Sequence, residues 1–538
     1  MDLSASNRFD RKDYIFLAGL FVFTVLYLAK FFNFSAYPFE DAAILMRYAE
    51  HLASGHGIVW NIGEAPIDGA TDFLFMAVTA GVIKLGLSVE SAVRLICLLS
   101  HFLTIFFVYY AVRGIYGCNR WLALLSSMYL AIGPALGHIQ AYFGTPFFAL
   151  FACLTWILAI KLVRGGSSHL RALLFGLTAL ITALIRPEGV FLTGLILITV
   201  IYMKGFREAR KEILYFIIIF AVLGGFYFWW RWNYFGYPLP NPFYKKGGGH
   251  VYIGSLRESI LNIVRVAVPF ILVYVAAFRS RETTRLAVFS MIPIAGFVFI
   301  WLLLSNEMNF FMRFQYPVLP ILLISWPPLL GGLMNDWQLP DPARLGGKNK
   351  IIITLVLALV FIGVLGYQYT KGYGRLVIMR DGRYDIARML SEYKDKDYTI
   401  ATTEAGLLPL YSRWRAIDSW GLNDSWIAHH GEITAGYLDT YKPEVIMFHA
   451  YHSPLAAATD DSRWGSMVGV LESYAYQRGY KLAAVFGRSP YDTHYYFIRP
   501  DFRDSDEISN RIHFTDYYWY ESGEKCLNFA GFSVTNQP

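Results

Sequence analysis

The chain has 538 residues, of which 55% are hydrophobic and 17% aromatic, and only 16% are charged. A soluble globular protein carries about 25% charged residues, so the composition excludes a soluble enzyme, a disordered chain and a nucleic-acid binder that works by net charge. The net charge of +7 is unevenly placed: residues 371–538 hold 18 basic and 22 acidic side chains, whereas residues 1–370 hold 29 and 18. The chain thus divides into a basic membrane module, 1–370, and a slightly acidic, water-soluble module, 371–538.

A membrane-spanning helix needs about 20 largely apolar residues. In chain order the candidates are 14–33, 92–112, 121–137, 145–163, 170–186, 188–203, 213–230, 259–278, 286–304, 316–334 and 351–368. Basic residues favour the cytoplasmic side of short loops. Arg8, Arg11 and Lys12 precede the first span, and further basic loops carry Arg113/Arg120, Lys161/Arg164/Arg171, Lys204/Arg207/Arg210/Lys211, Arg279/Arg281/Arg285 and Arg344/Lys348/Lys350. All share one side only if the short apolar run 72–87 does not cross. The expected topology has about eleven spans, a cytoplasmic N-terminus, and residues 34–90, the Arg186-Pro187-Glu188-Gly189 turn, 231–257, 305–315 and the soluble module outside. Ile386–Tyr393 reads as a helix, and Tyr398–Thr402, Val445–Phe448, Leu482–Phe486 and Tyr495–Ile498 read as strands, so the soluble module is expected to be α/β.

The first outer loop opens with Glu40 and Asp41, followed by apolar residues at helical spacing (Ala42, Leu45, Met46, Ala49, Leu52, Ala53) and a stop at Gly55. This predicts an amphipathic helix along the membrane surface, with Arg47 and His51 on its polar face. Acidic residues are ordinary in a first helical turn, but a carboxylate partly shielded from water can also act as a general base. Asp68 and Asp72 follow on the same loop, and with Glu40 and Asp41 could form a divalent-cation site, although no defined metal motif is present. No P-loop or dinucleotide fingerprint appears in the soluble module. Its tryptophans (Trp414, Trp420, Trp426, Trp464, Trp519) and the Tyr517-Tyr518 pair suit either a core or sugar contacts.

Several blocks resemble, in order, the GT-C membrane glycosyltransferases, closest to the terminal arabinofuranosyltransferases of actinobacterial cell-wall assembly. The first is Glu40-Asp41-Ala42 … Arg47-Tyr48 … Leu52-Ala53-Ser54-Gly55-His56-Gly57 … Asn61-Ile62-Gly63-Glu64 … Asp68-Gly69-Ala70-Thr71-Asp72-Phe73-Leu74. Here Glu40 stands at the family's first Asp and Asp68 at a Glu, while Ala70 and Asp72 replace Tyr and Asn. Further blocks are Arg186-Pro187-Glu188-Gly189, Arg231 … Asn241-Pro242-Phe243-Tyr244-Lys245-Lys246, Arg313-Phe314, and Glu404-Ala405-Gly406 … Asp418 … Gly421-Leu422-Asn423-Asp424.

The resemblance implies an inverting transferase that uses a polyprenyl-phosphate-sugar donor and a glycan or glycolipid acceptor outside the cytoplasmic membrane. It implies Asp41 as catalytic base with Glu40 as its partner. A phosphate leaving group needs cations, for which Lys245, Lys246, Arg313, Arg231 and Arg186 are the candidates. His56, Asp68, Asp72, Asn241, Tyr244 and Glu188 are the candidate substrate-binding residues. Two other readings fit the residues: a transporter or flippase of lipid-linked glycans, and a non-catalytic protein whose soluble module binds glycan.

Overall fold

The computed structural model describes residues 9–166, 168–246, 251–336, Gly363, 380–458, 462–520 and 522–531. The membrane part starts with α1 (Arg11–Phe31), α2 (Glu40–Ala53), α3 (Phe73–Lys84) and α4 (Val89–Tyr110). It continues through α5 (Arg120–Ile132), α6 (Ala135–Gln140), α7 (Thr145–Arg164), α8 (His169–Ile185) and α9 (Glu188–Lys204). Its further helices among the described residues are α10 (Arg210–Ile219), α11 (Gly225–Phe235), α12 (Asn241–Lys246), α13 (Ile253–Ala277), α14 (Arg281–Phe299) and α15 (Leu319–Asp336). Among the described residues, eight helices are long and apolar enough to cross a membrane. They match eight of the expected spans, and α8 and α9, with 17 residues each, match two more. The expected span 351–368, apart from Gly363, and the Arg344/Lys348/Lys350 loop lie outside the described residues.

Asp10 and Asp13 form a capping box that starts α1. The buried Asp13 also binds Arg113 at 2.9 Å, and Asp10 binds Arg120 at 2.7 Å. The C-terminal end of α4 therefore returns to the N-terminal end of α1, and everything between them sits at the opposite end. Helix α3 belongs to that opposite end. Its 12 residues span about 18 Å, short of the roughly 30 Å hydrocarbon core.

Proline sets the break between α8 and α9. Arg186 precedes Pro187 and is extended (φ −144°, ψ 144°), as the clash of a proline ring with the preceding residue requires. The turn thus projects Arg186 at the mouth of the helix pair instead of burying it mid-helix.

The soluble part is an α/β domain around one six-stranded mixed sheet. Its strands are β1 (Thr399–Thr402), β2 (Arg415–Asp418), β3 (Val445–Ala450), β4 (Lys481–Ser489), β5 (Asp492–Ile498) and β6 (Leu527–Asn528), in the order β2-β1-β3-β5-β4-β6. The β2–β1–β3 half is parallel and the rest antiparallel. The four strands expected from sequence are β1, β3, β4 and β5. The short β2 (Arg-Ala-Ile-Asp, ended by charges) and the two-residue β6 carry no apolar run that marks a strand in the sequence.

Helix α2 corrects one expectation. Its residues Ala42 through Ala49 are all buried, because the soluble domain covers the face left open by the membrane helices. Arg47, assigned to a solvated polar face, is only 4% exposed. Its guanidinium donates to the carbonyls of Trp60 (2.9 Å), Trp414 (2.9 Å) and Pro409 and to Asn61 Oδ1 (3.2 Å). Such charge-assisted bonds compensate its burial. Asn61 also covers the edge of β2: it accepts from Ala416 N at 2.9 Å and donates to Ala416 O at 3.0 Å, as a neighbouring strand would. Loop residues 40–72 are therefore the seat on which the soluble domain docks.

Candidate active site between the two domains

Two large cavities meet at the N-terminus of α2. One, of about 1060 Å³, runs among the membrane helices and is walled by Phe75, Leu184, Phe191, Phe228, Trp301 and other apolar side chains. Asp68, Asp72, Arg186, Glu188, Arg231 and Arg313 lie at its polar end. The other, of about 1100 Å³, lies between α2 and the soluble domain. Its lining includes Arg383, Glu404, Trp420, His449, Tyr451, Arg463 and Trp464. Asp41 and Lys246 line both cavities, as do Tyr252 and Glu307. The junction of an apolar and a polar space thus carries one carboxylate from α2 and one ammonium from α12.

Asp41 is a third exposed and forms an ion pair with Arg313. Burial alone would raise its pKa, but Arg313, Lys246 and Arg186 outweigh burial and hold it below the usual carboxylate value. The group is therefore ionised at neutral pH, the state a general base requires. The low value also means that Arg313 masks it until something else takes up the guanidinium. Arg313 lies 4.3 Å from the ring of Phe143 and 4.9 Å from that of Phe314. Its side chain is 8% exposed, and its Nε lacks a hydrogen-bond partner among the described residues. An anion entering the membrane-side cavity meets there a donor without an acceptor.

Arg186, Arg231 and Lys246 are paired as well. Arg186 bridges Asp72 and Glu188, both at 3.1 Å. Arg231 pairs with Asp68, and Lys246 lies 3.7 Å from Glu307. Burial pushes Asp68 up to about 6 despite Arg231, and it raises Asp72 despite Arg186. Four carboxylates that could have shared a divalent cation are instead each held by a different arginine: Glu40 by Arg383, Asp41 by Arg313, Asp68 by Arg231 and Asp72 by Arg186. This donor set does not form a common cage, and no cation enters the chemistry derived below.

Glu40 faces away from Asp41, into the soluble domain. Its Oε2 accepts from Gly406 N at 2.5 Å and Leu407 N at 3.1 Å, and its Oε1 lies 3.1 Å from Arg383. Arg383 also holds Asp381 and Glu404. Burial pushes Glu40 up to about 8, with Arg383 pulling it down and Glu404 and Asp381 pushing it further up. Gly406 has to be glycine, since a Cβ there would overlap Glu40. The Glu-Ala-Gly block is thus half of a docking contact.

Other candidates are spread around this junction. Lys245 is buried and points to the soluble domain, donating to Gly431 O at 2.5 Å with Trp420 4.7 Å away. Asn241 is buried, and its N donates to Asp68 O at 3.0 Å, which supports the loop. Tyr244 packs against His429. His56 is exposed on the turn after α2 and lines neither cavity. Of the soluble-domain aromatics, Trp420 and Trp464 line the polar cavity, while Trp414, Tyr517 and Trp519 are core. Arg383, Asp381 and His449, not singled out in the sequence, also line that cavity. They lie in no motif, and only the folding of β1 beside β3 and the docking on α2 brings them together.

Residues 375–501 match a family model described as "Domain of unknown function (DUF8728)". No curated protein matches the chain in sequence. Solved structures share its fold. ArnT from Cupriavidus metallidurans in the apo state matches with a TM-score of 0.56 and 15% identity, over 89% of this chain and 98% of ArnT. ArnT bound to undecaprenyl phosphate matches with a TM-score of 0.54 and 14% identity, over 90% and 97%. The arabinofuranosyltransferase AftD from Mycobacteria matches with a TM-score of 0.51 and 14% identity, over 92% of this chain and 40% of AftD. The chain is therefore a polytopic membrane protein of the GT-C fold with a C-terminal α/β domain, the fold its ordered motifs imply.

Proposed function

We propose that the protein is an inverting glycosyltransferase that moves a sugar from a polyprenyl-phosphate donor to a cell-envelope glycan or glycolipid. The observation that carries this reading is the position of Asp41, an ionised carboxylate at the meeting point of an apolar cavity with a cationic end and a polar cavity with aromatic walls. The boundary between the two modules falls near residue 370, and both cavities lie at the outer face of the cytoplasmic membrane. Likeness in fold to an ArnT bound to undecaprenyl phosphate supports the lipid donor. The likeness to AftD and the motif resemblance support arabinofuranose as the sugar.

In this reading the prenyl chain occupies the cavity among the membrane helices, with its phosphate at Arg313, Lys246 and Arg186. The phosphate draws Arg313 from Asp41. The freed carboxylate takes the proton of an acceptor hydroxyl presented from the polar cavity. The acceptor oxygen then bonds to the anomeric carbon as the carbon–oxygen bond to phosphate breaks, and that electron pair leaves on the phosphate. The cations stabilise the charge as it develops, and in-line attack inverts the anomeric centre. Arg231 keeps Asp68 and the loop in place, and Glu40 fixes the soluble domain over the site. The test is transfer by the purified chain from a polyprenyl-phosphate-sugar to a glycan acceptor, with the product read by mass spectrometry. Uptake of the lipid-linked glycan into proteoliposomes without any transfer product would instead support the transporter reading.

A further inference from the structure

We propose that the soluble domain holds a zinc-class divalent metal on Glu404, His449 and His494, a site separate from Asp41 whose metal binding is measured without the transfer reaction. The ligands come from three adjacent parts of one sheet. His449 on β3 and His494 on β5 are direct antiparallel partners, so their side chains share a face. Glu404 follows β1, whose Thr402 pairs with Met447. Two residues further along each parallel strand, Glu404 comes level with His449. Among the described residues these three side chains place one ligating atom each within 4.8 Å of one another.

Each side chain is held by its other atom. Asp492 Oδ1 lies 2.7 Å from His449 Nε2, which leaves Nδ1 facing Glu404 Oε1 at 3.7 Å. This is too long for a hydrogen bond and close to the roughly 3.3 Å between two ligands of a tetrahedral zinc. His494 Nδ1 lies 2.6 Å from the Tyr517 hydroxyl. Its Nε2 is fully buried and lacks a partner among the described residues, an expensive state for an imidazole nitrogen. Arg383 occupies Glu404 Oε2 at 2.5 Å, and its own charge is met by Asp381 and Glu40 as well.

A carboxylate, a phenol and a guanidinium that orient two imidazoles and a carboxylate from behind are the outer shell a metal site needs. Two histidines and one glutamate suit zinc with one position open. Glu404 and His449 line the polar cavity, so that position faces it and accepts an oxygen from water or from whatever occupies the cavity. The sequence hides the set: the ligands stand 45 residues apart twice, with no motif spacing.

The full chain, tag removed and stripped with a chelator, is titrated with Zn²⁺ and, for its visible spectrum, with Co²⁺. One metal per chain is expected, with a tetrahedral Co²⁺ absorption band, and His494→Ala should weaken binding at least ~10²-fold. Asp492→Asn and Tyr517→Phe, which leave every ligand in place, should each weaken it ~10- to 100-fold. They keep the test open if His494→Ala misfolds. Metal content that stays below one tenth per chain in the folded wild type overturns the proposal. So does binding that the Asp492→Asn and Tyr517→Phe variants leave unchanged.

Discussion

Asp41→Asn isolates the charge of the proposed base at nearly constant shape. Asparagine keeps an oxygen that can accept from Arg313, so the contact survives while the ion pair does not. Arg313 is 8% exposed and sits on two aromatic rings, so the guanidinium stays in place and loses its counterion. Two consequences have opposite signs. Without a base the acceptor hydroxyl keeps its proton, and transfer slows ~10²- to 10⁴-fold, about 2.7–5.5 kcal/mol of barrier. Without Asp41 the phosphate no longer competes for Arg313, so donor affinity holds or improves. The expected signature is a kcat that falls at least ~10²-fold while the KM for donor stays level or drops. The assay combines transfer kinetics over a range of donor with an independent measurement of donor binding, on protein whose melting temperature shows it to be folded. Full-rate transfer by folded Asp41→Asn would refute the assignment. A raised donor KM with kcat unchanged would refute the masking of Asp41 by Arg313.

Arg313→Gln should raise the KM for donor at least ~10-fold, since a charge-assisted contact to phosphate is lost; an unchanged donor KM would remove Arg313 from the phosphate site. Trp420→Ala should raise the KM for a glycan acceptor ~2- to 10-fold, the scale of one aromatic contact, and leave donor binding alone; the two KM values separate the cavities. Burial holds Glu40 at about 8, above its ordinary value of 4.5, so its protonated form favours docking. That contribution is complete below about pH 4.5 and is lost as pH rises through about 8. The exchange protection factors of Gly406 and Leu407, with the base-catalysed intrinsic rate divided out, should therefore fall between pH 5 and 8. Glu40→Gln should flatten that dependence, and a pH-independent wild type would show that Glu40 is ionised throughout.

The membrane helices were legible because hydropathy acts locally. A run such as Thr145–Arg164 announces itself whatever surrounds it. The chemistry of Asp41 and Glu40 was legible as residue type and motif, but their directions were not. Neighbours in sequence at the start of α2, they point to different domains, Asp41 to Arg313 and Glu40 to Gly406. Arg47 shows the same limit. Helical spacing assigned it a face, and only the soluble domain, docking from some 360 residues away, turned that face into an interior. Lys245 and Lys246 are adjacent and alike, yet one anchors the domain contact and the other lines both cavities.

By itself the sequence determined that this is a membrane protein with a soluble C-terminal module. It also determined where most of the helices lie and which loops carry unusual charge, because burial in lipid and helical periodicity are properties of short segments. Tertiary structure decided which charges pair with which, that the four loop carboxylates are divided among four arginines, and that two cavities meet at Asp41. It also set Glu404, His449 and His494 side by side. Electrostatic pairing depends on distance in space, and partners such as Glu40 and Arg383 stand 343 residues apart in the chain.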